Sequence, residues 1–494
     1  MNTFQPQCTL PLEGPVFIQQ PNVRSTLDII WSSLAIILLC TWSILHLNVP
    51  PQVRPLPPPE TFWQSCKRVF FEAWYPFCRK LKWLILTIFV PENIFGVALS
   101  EFWSACRCTR QIQEFQRGEK LEDEVEWTLT HSFYANMGGF VIKFAPEPAH
   151  PSDRMGGQGA DTEHFLWAFI QRGLAGYKHL GAFDWNSHKT HYHLARRWID
   201  EHQVQGHRRH PARALIGDTW TLSASQLLTA RQTGIIKNFP AITMAAIDDK
   251  NKGDLVVKLL ALGQVIWLII QMCVRAHRQQ PVSPVEVTAL AYAGCSLFTY
   301  LLLLKKPQDV RTPTVVVAER SPTYDEFEQI METAPKLHPF MNEEHQFTSY
   351  ALPTSSVSAY RGYRDLMTAG LFGGLTVFGS LHLIAWNAHF PTENEQLLWR
   401  IFSLLVATLP ILILASHALF GCLSARFPGL VVADGTGYFF VGVTGILLWL
   451  VMGISMVFFP LLRLGLLIEA FRSTYYLPPS AYLSTWASEI PHVG

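Results

Sequence analysis

Residues 255–274 read LVVKLLALGQVIWLIIQMCV, a stretch that is almost entirely apolar. An α-helix needs about 20 apolar residues to cross the hydrocarbon layer of a bilayer. Lys250 and Lys252 precede the stretch, and Arg275 and Arg278 follow it, so charged side chains mark both of its ends. The segment therefore predicts a transmembrane helix.

Five further stretches have a similar length and apolar character, and they lie at residues 27–45, 285–304, 367–386, 397–419 and 438–459. Apolar residues make up 49% of the chain and charged residues only 16%. A soluble protein of ordinary composition carries about 25% charged residues. Composition and apolar stretches together predict an integral membrane protein with six spans.

A seventh apolar block, residues 83–102, carries Pro91 and Glu92 at its centre. A proline interrupts the hydrogen bonds of a helix, and a carboxylate in the middle of a bilayer is costly. The block is either a kinked span packed against other helices or a re-entrant or interfacial helix pair. The sequence leaves both alternatives open.

The predicted fold is an all-α membrane protein of about six to seven transmembrane helices, with a large polar loop between the early and the later spans. Within the polar region, residues 127–140 read as an amphipathic or interfacial piece that ends at Gly138 and Gly139. We divide the chain into an N-terminal tail (1–24), the first span with a proline-rich linker and the ambiguous block (25–104), a polar extramembrane region (105–254), a two-helix membrane hairpin (255–304), a polar extramembrane loop (305–366), three spans (367–470) and a C-terminal tail (471–494).

Basic side chains crowd residues 67–82 and flank both polar segments. Cytoplasmic loops carry an excess of lysine and arginine, so this bias predicts that the polar segments face the cytoplasm. The N-terminus is then lumenal, provided that block 83–102 does not cross the membrane. We expect the bilayer of the endoplasmic reticulum or another endomembrane as the location. The net charge of +1 gives no basic surplus that would indicate a nucleic-acid partner.

Several pieces of the sequence resemble a large, fungus-specific family of uncharacterised multi-pass integral membrane proteins. The resemblance runs from about residue 22 to the end of the chain and is weakest in the histidine-rich middle. The pieces are WTLTHSFYANMGGF (127–140), DDKNKGDLVVKLLALGQVIWLIIQ (248–271), LLLLKKPQDV (301–310), AWNAHFPTENEQLLWR (385–400) and the closing LPPSAY (477–482).

Some proteins of that family belong to fungal secondary-metabolite gene clusters, including clusters for polyketide–peptide hybrids with strained rings. The resemblance therefore implies a role in secondary metabolism, with other enzymes of a cluster as partners. It implies no reaction mechanism, and it leaves the cofactor unknown.

His382, Trp386 and His389 have the spacing of one helical face at the end of a predicted span, and Glu393 and Glu395 follow. An imidazole beside a carboxylate is suited to general acid–base catalysis. His382 and His389 are therefore candidate catalytic residues, against the plainer interpretation of an interfacial anchor. His131, within the segment that ends at the two glycines, is a third candidate.

Two patterns resemble metal sites, but we interpret both as structural. His188, His191 and His193 have metal-ligand spacing, yet they lie in a polar stretch without further ligands at fixed positions. Asp248, Asp249 and Asp254 stand just before a predicted span and could hold magnesium and a diphosphate, but the interleaved lysines favour an interfacial helix start with acids in its first turn. We therefore predict no metal site.

Three classes of function remain. The first is a membrane-embedded enzyme or auxiliary protein that acts on a hydrophobic biosynthetic intermediate, for example in ring formation. The second is a transporter or channel, which the scarcity of charged residues in the spans weakens. The third is a non-catalytic membrane scaffold. The nature of the neighbouring genes would discriminate best among the three classes.

Overall fold

The protein is described here from a computed structural model, which covers residues 24–50, 62–120, 125–144, 191–202, 215, 217, 219–253, 255–337, 351–354, 356–357, 363–426, 431–434, 437–440, 443–483 and 485. Its helices are α1 (Thr26–Ser43), α2 (Phe62–Phe89), α3 (Pro91–Gly118), α4 (Leu129–Asn136), α5 (Tyr192–Glu201), α6 (Ala224–Gln232), α7 (Met244–Lys250), α8 (Leu255–His277), α9 (Pro284–Leu303), α10 (Tyr324–Glu332), α11 (Tyr363–His382), α12 (Glu393–Arg426) and α13 (Val443–Thr474). Its strands are β1 (Phe140–Lys143), β2 (Thr219–Thr221), β3 (Thr314–Val317), β4 (Lys336–Leu337), β5 (Ser356–Val357), β6 (Val431–Asp434) and β7 (Gly437–Phe440).

Helices dominate the described residues, but the short strands correct the all-α prediction. The runs that form them are rich in β-branched and aromatic residues, such as TVVV in β3 and GYFF in β7, and these favour extended backbone. Residues 438–440 were predicted to open the last span. They instead pair with β6, and helix α13 begins at Val443.

Five helices in the described part of the chain are long and apolar enough to cross a membrane, or six if one bent helix pair counts as a span. The five coincide with apolar stretches identified in the sequence, which confirms those stretches as helices. They are Thr26–Ser43, Val257–His277, Pro284–Leu303, Leu366–Ala385 and Glu393–Ser416.

The ambiguous block forms the end of α2 and the beginning of α3. The axes of Pro76–Phe89 and Pro91–Gly118 differ by 108°. Pro91 supplies no N–H and disfavours helical backbone at the residue before it, so Val90 leaves the helical region with φ −142° and ψ 71°. The chain therefore turns back on itself at this point and does not continue as one kinked rod.

The chain divides into two compact units. The first comprises Met1–Cys40, Val257–Gly294 and Leu375–Gly494. The second comprises Thr41–Val256 and Cys295–Gly374. Each unit is built from segments that are distant in sequence, so each depends on long-range contacts.

The second unit contains a three-stranded sheet in the order β2-β1-β3. Strand β1 pairs antiparallel with β2 and parallel with β3, with Ile142 opposite Trp220 and Val316. Helices α4, α6, α7 and α10 contribute to the core around it, in which Trp127, Trp220 and Phe327 are fully buried.

Segment 127–140 was predicted to be amphipathic or interfacial, and this was wrong. It forms α4 and leads into β1, and its His131, Phe133 and Tyr134 are all buried. The two glycines make the turn between helix and strand, since Gly138 has a φ of +83° and a Cβ at Gly139 would lie 2.5 Å from the Tyr134 ring.

In the first unit, helices α12 and α13 pack closely along each other. A Cβ at Gly465 would lie 2.5 Å from the Phe402 ring. Likewise, a Cβ at Gly379 of α11 would lie 2.7 Å from backbone atoms of Val406 and Ala407. Small residues let neighbouring helices come close without a loss of packing, as is common among membrane helices.

We predict that Gly96→Ala destabilises the protein, whereas the matched substitution Gly373→Ala does not. A Cβ at Gly96 would lie 2.7 Å from the Met367 carbonyl oxygen and 2.9 Å from the Leu371 nitrogen, and neither backbone atom can move freely. A Cβ at Gly373 meets nothing within 4 Å. Overpacking of this kind costs about 1–3 kcal/mol.

Thermal unfolding of the detergent-solubilised protein, followed by fluorescence-detected size exclusion, measures this difference. Equal unfolding temperatures for the two alanine variants would contradict the close approach of α3 to α11.

Candidate functional site

His131 lies in the first turn of α4, where it closes a reciprocal cap. The Thr128 backbone N–H donates to His131 Nδ1 at 3.2 Å, and the Thr128 hydroxyl lies 2.7 Å from the same nitrogen. His131 thus takes the place that Glu or Gln usually fills in a capping box. This arrangement satisfies backbone donors that the start of a helix leaves without partners.

The other ring nitrogen of His131 is also engaged. His131 Nε2 lies 2.9 Å from the Ile242 carbonyl oxygen, which can only accept a hydrogen bond. Nε2 therefore carries the proton, and Nδ1 accepts from Thr128. Burial lowers the pKa of His131, and the bond to the Ile242 carbonyl opposes this shift in part. The ring is consequently held as a neutral tautomer with both nitrogens committed.

A buried polar network surrounds this histidine. The Trp127 indole N–H donates to the Ser132 hydroxyl at 2.8 Å, and the Thr109 hydroxyl lies 2.7 Å from the same oxygen. The Trp127 and His131 rings lie 5.3 Å apart. These contacts join α3 to α4 and indicate that His131 positions α4 within the core.

His382 is buried at the last residue of α11. Its Nδ1 lies 2.8 Å from the Phe378 carbonyl oxygen, one helical turn earlier, so Nδ1 donates this bond. The Phe378 and Trp399 rings pack against it at 5.0 Å and 5.9 Å. One imidazole nitrogen is therefore used to satisfy the end of the helix.

His389 does not share a helical face with His382, which corrects the sequence-based interpretation. Helix α11 ends at His382, a short 3-10 turn follows at Leu383–Ala385, and His389 is exposed in coil. Side chains of α12 bind two carbonyls that follow this turn. Arg400 donates to Trp386 at 2.9 Å, and Gln396 donates to Ala388 at 3.0 Å.

The acidic residues that follow this turn, Glu393 and Glu395, lie in different environments. Glu395 forms an ion pair with Arg472 of α13 at 2.7 Å. Glu393 is exposed in the first turn of α12, where a helix favours negative charge. The proposed histidine–carboxylate pairing is thus absent from the contacts described for these residues, and His382, His389 and His131 remain predictions as catalytic residues.

Two histidines of the 188–193 cluster fall within the described residues, and they differ in environment. His191 is buried between the Phe144 and Trp220 rings, and its Nδ1 donates to the Gly217 carbonyl at 2.8 Å. His193 is exposed. His188 lies outside the described residues. Within the part of the chain that the structure describes, no three His, Cys, Asp or Glu side chains form a metal-binding group.

The aspartates that resemble a diphosphate motif are placed differently from the prediction. Asp248 and Asp249 belong to the end of the short helix α7, and they do not form the first turn of α8. Asn251 ends α7 with φ −76° and ψ 103°, which separates the two helices. Asp254 lies outside the described residues.

Sequence reasoning missed two groups of buried charged residues. Arg275 is fully buried and donates to the carbonyls of Pro281, Ala481 and Leu483 at 2.8–3.2 Å. Arg24 pairs with Glu286 at 2.5 Å and lies in the same unit. Their position at the ends of apolar stretches was visible in the sequence, but Glu286 lies 262 residues from Arg24, and Ala481 lies 206 residues from Arg275.

We predict a pH-dependent stability difference between the wild type and the variant His131→Gln. Because burial lowers the pKa of His131 below its ordinary value of 6.5, the unfolded chain binds this proton before the folded protein does. The stabilisation by the neutral ring is complete above about pH 6.5 and decreases as the pH falls through the folded-state pKa. Glutamine keeps the cap but cannot titrate.

Thermal unfolding from pH 7.5 to pH 5.5 should therefore show the wild type losing more stability than His131→Gln. His193→Gln provides the matched control at an exposed histidine and should follow the wild type. Parallel curves for wild type and His131→Gln would contradict the neutral, buried state of His131.

A family model described as "Family of unknown function (DUF8562)" matches the chain over residues 6–156 and 224–343. Comparisons with curated proteins and with solved structures give no match. The matched residues include α1 to α4, β1 and the helices from α6 to α10, which together form most of the second unit and the first half of the apolar helices. Since the match covers more than half of the chain, the protein belongs to the DUF8562 family.

Proposed function

We propose that the protein is a multi-pass integral membrane protein of the endoplasmic reticulum or another endomembrane. The observation that carries this proposal is the exposure of apolar side chains on the long helices. Only 28% of the apolar window Glu393–Ser416 is buried by the rest of the protein. The large apolar side chains exposed along α12 include Leu397, Leu398, Ile401, Leu404, Ile411 and Leu412.

Such exposure is unfavourable in water. Burial of one leucine or isoleucine side chain contributes about 1.5–3 kcal/mol, so a helix that leaves six of them in water loses a large part of a typical folding free energy. In a bilayer the same side chains contact lipid, and the helix satisfies its own backbone hydrogen bonds. The helices are therefore suited to a lipid environment.

Within that membrane, the protein acts as an auxiliary component for a hydrophobic intermediate of fungal secondary metabolism, for example during ring formation of a polyketide–peptide hybrid. The family resemblance supports the pathway, with other enzymes of a gene cluster as partners. The engagement of His131 and His382 in helix caps and helix ends supports an auxiliary role over acid–base catalysis.

A transporter is the second candidate function, and one feature favours it. The bent pair α2–α3 is a discontinuous helix with the buried Glu92 at its break. Transporters often place such breaks at their substrate sites. Uptake or efflux of the pathway product by vesicles containing the purified protein would discriminate the two functions.

We predict that the protein stays in the membrane pellet after carbonate extraction at high pH. Carbonate removes proteins held by polar contacts, whereas helices in lipid remain inserted because their apolar surface would enter water. A peripheral membrane protein from the same membranes serves as the control and should be released. Recovery of the chain in the supernatant would exclude the membrane-spanning proposal.

We predict that deletion of the gene changes the secondary-metabolite profile of the producing strain, whereas His389→Ala restores the normal profile when it complements the deletion. His389 is exposed and lies apart from His382, so its loss should leave an auxiliary role intact. His193→Ala is the matched exposed control. Metabolite extracts are compared by mass spectrometry at equal protein abundance.

Two outcomes would contradict this proposal. Loss of product with His389→Ala alone, at normal abundance, would restore the catalytic interpretation of His382 and His389. An unchanged metabolite profile after deletion would exclude an auxiliary role in the pathway.

A further inference from the structure

In the bent pair α2–α3, Lys80 and Glu101 lie about ten residues on either side of the break, at positions here called the outer ends of the pair, and both contact one short segment of the chain. Lys80 of α2 forms an ion pair with Asp309 at 2.8 Å. Glu101 of α3 forms an ion pair with Lys306 at 2.8 Å. Residues 306–309, here called the 306–309 junction, directly follow α9, whose last residue is Leu303. Both arms therefore pass beside the same end of a candidate span.

The 306–309 junction also receives the ends of two other candidate spans. The Gln308 side-chain amide donates to the carbonyls of Ser43 and Leu45, at the end of α1, at 3.2 Å each. The Gln308 backbone N–H donates to the Asn251 side chain at 3.0 Å, just before α8. The Lys252 N–H donates to the Gln308 carbonyl at 3.0 Å.

These contacts decide whether the chain crosses the membrane an even or an odd number of times between α1 and α8. Ser43 and Asn251 both bind Gln308, so they lie on the same membrane face. The number of crossings between them must then be even. If α2–α3 crossed once, Asn251 would lie about 30 Å away on the opposite face, and these hydrogen bonds could not form.

The tip of the pair reaches the middle of the membrane. A Cβ at Gly374 would lie 3.1 Å from the Glu92 Cβ, so the tip packs directly on α11. Gly374 follows Leu366, the first residue of its candidate span, by about eight residues, or about 12 Å of helix. The hydrocarbon core is about 30 Å thick, so Glu92 lies close to its midplane.

The protein itself shields the break in the helix at this depth. Pro91, Glu92 and Asn93 are all buried. Interrupted backbone at membrane depth occurs where the protein covers it or where it lines a water-filled cavity, and this break meets the first condition. Gly96 and Gly370 allow the approach, since a Cβ at Gly370 would lie 3.0 Å from the Gly96 Cα.

We propose that α2–α3 is a re-entrant helical hairpin that enters and leaves the membrane on one face. This inference rests on the membrane-spanning part of the proposed function. The face is the one that carries the polar segments 105–254 and 305–366. The two ion pairs at the 306–309 junction hold the outer ends of the hairpin, and the glycine contacts with α11 hold its tip.

Two native cysteines test this topology without any substitution. Cys78 and Cys106 are partly exposed, and they lie on opposite arms of the hairpin. They are about 13 and 15 residues from Pro91, or about 20 Å and 22 Å of helix, which places both beyond the hydrocarbon core. A single crossing would put them on opposite faces, whereas a hairpin puts them on the same face.

Sealed microsomes containing the wild-type chain are treated with a membrane-impermeant maleimide, before and after permeabilisation, and mass spectrometry of peptides quantifies the label at each cysteine. A separate aliquot of the same microsomes is subjected to carbonate extraction, so failure of the membrane proposal is seen in its own assay. We expect Cys78 and Cys106 to become labelled in the same step.

Labelling of one cysteine in sealed vesicles and of the other only after permeabilisation would overturn the hairpin. Absence of label at both positions after permeabilisation would also overturn it, because the outer ends would then not leave the hydrocarbon core. As a second measurement, the variant Phe89→Cys should stay unlabelled in both steps, since residue 89 lies next to the tip. Rapid labelling at position 89 in sealed vesicles would contradict the mid-membrane position of the tip.

Discussion

Backbone carbonyls at the end of an apolar helix need hydrogen-bond donors, and lipid offers none. In this protein, buried polar side chains supply those donors. Gln308 binds the last carbonyls of α1 with its side chain and joins the residues before α8 with its backbone. One buried residue therefore fixes where α1 ends and where α8 begins. Lys306, two residues before Gln308, forms the ion pair with α3, and Asp309, the next residue, forms the ion pair with α2.

Arg275 meets the same requirement in the first unit. Its guanidinium donates to three carbonyls, two of which belong to the closing segment of the chain. A guanidinium suits this task because it carries five N–H donors in a fixed plane. Arg24 adds an ion pair with Glu286 and a bond to the same Ala481 carbonyl. Loss of one partner of a buried ion pair costs about 3–5 kcal/mol. The Ala481 carbonyl of the LPPSAY segment thus accepts from two arginines, of which one is held by Glu286.

The sequence was sufficient to predict the apolar helices, because length and composition within one stretch decide whether a helix can cross a bilayer. It was insufficient for residues 127–140, whose burial depends on strands β2 and β3 from distant parts of the chain. It was also insufficient for the 306–309 junction, where Gln308 contacts a residue 265 positions away. Local patterns contain no information on such partners.

For the candidate histidines, too, local sequence spacing did not reveal the structure that surrounds them. Their spacing of seven residues correctly describes one face of a continuous helix. The helix is not continuous, because a 3-10 turn at Leu383–Ala385 follows its last residue, His382. His131 was a candidate because it lies in the segment that ends at Gly138 and Gly139, and a buried histidine needs hydrogen-bond partners. Those partners are the Thr128 N–H and the Ile242 carbonyl, so the ring joins α4 to residues of the core.

The proposed re-entrant hairpin depends on the same physical requirement as the proposed crossing helices. Each of its arms spans about half of the membrane, which is too short to be held in place by lipid contacts alone. Its outer ends are fixed by the ion pairs Lys80–Asp309 and Lys306–Glu101. The side chain of Lys306 is almost fully buried. Its tip is fixed by glycines that admit Glu92 and Gly96 against α11. A proline alone would only have kinked the helix. Polar partners at both outer ends, together with close packing at the tip, turn the kink into a return of the chain.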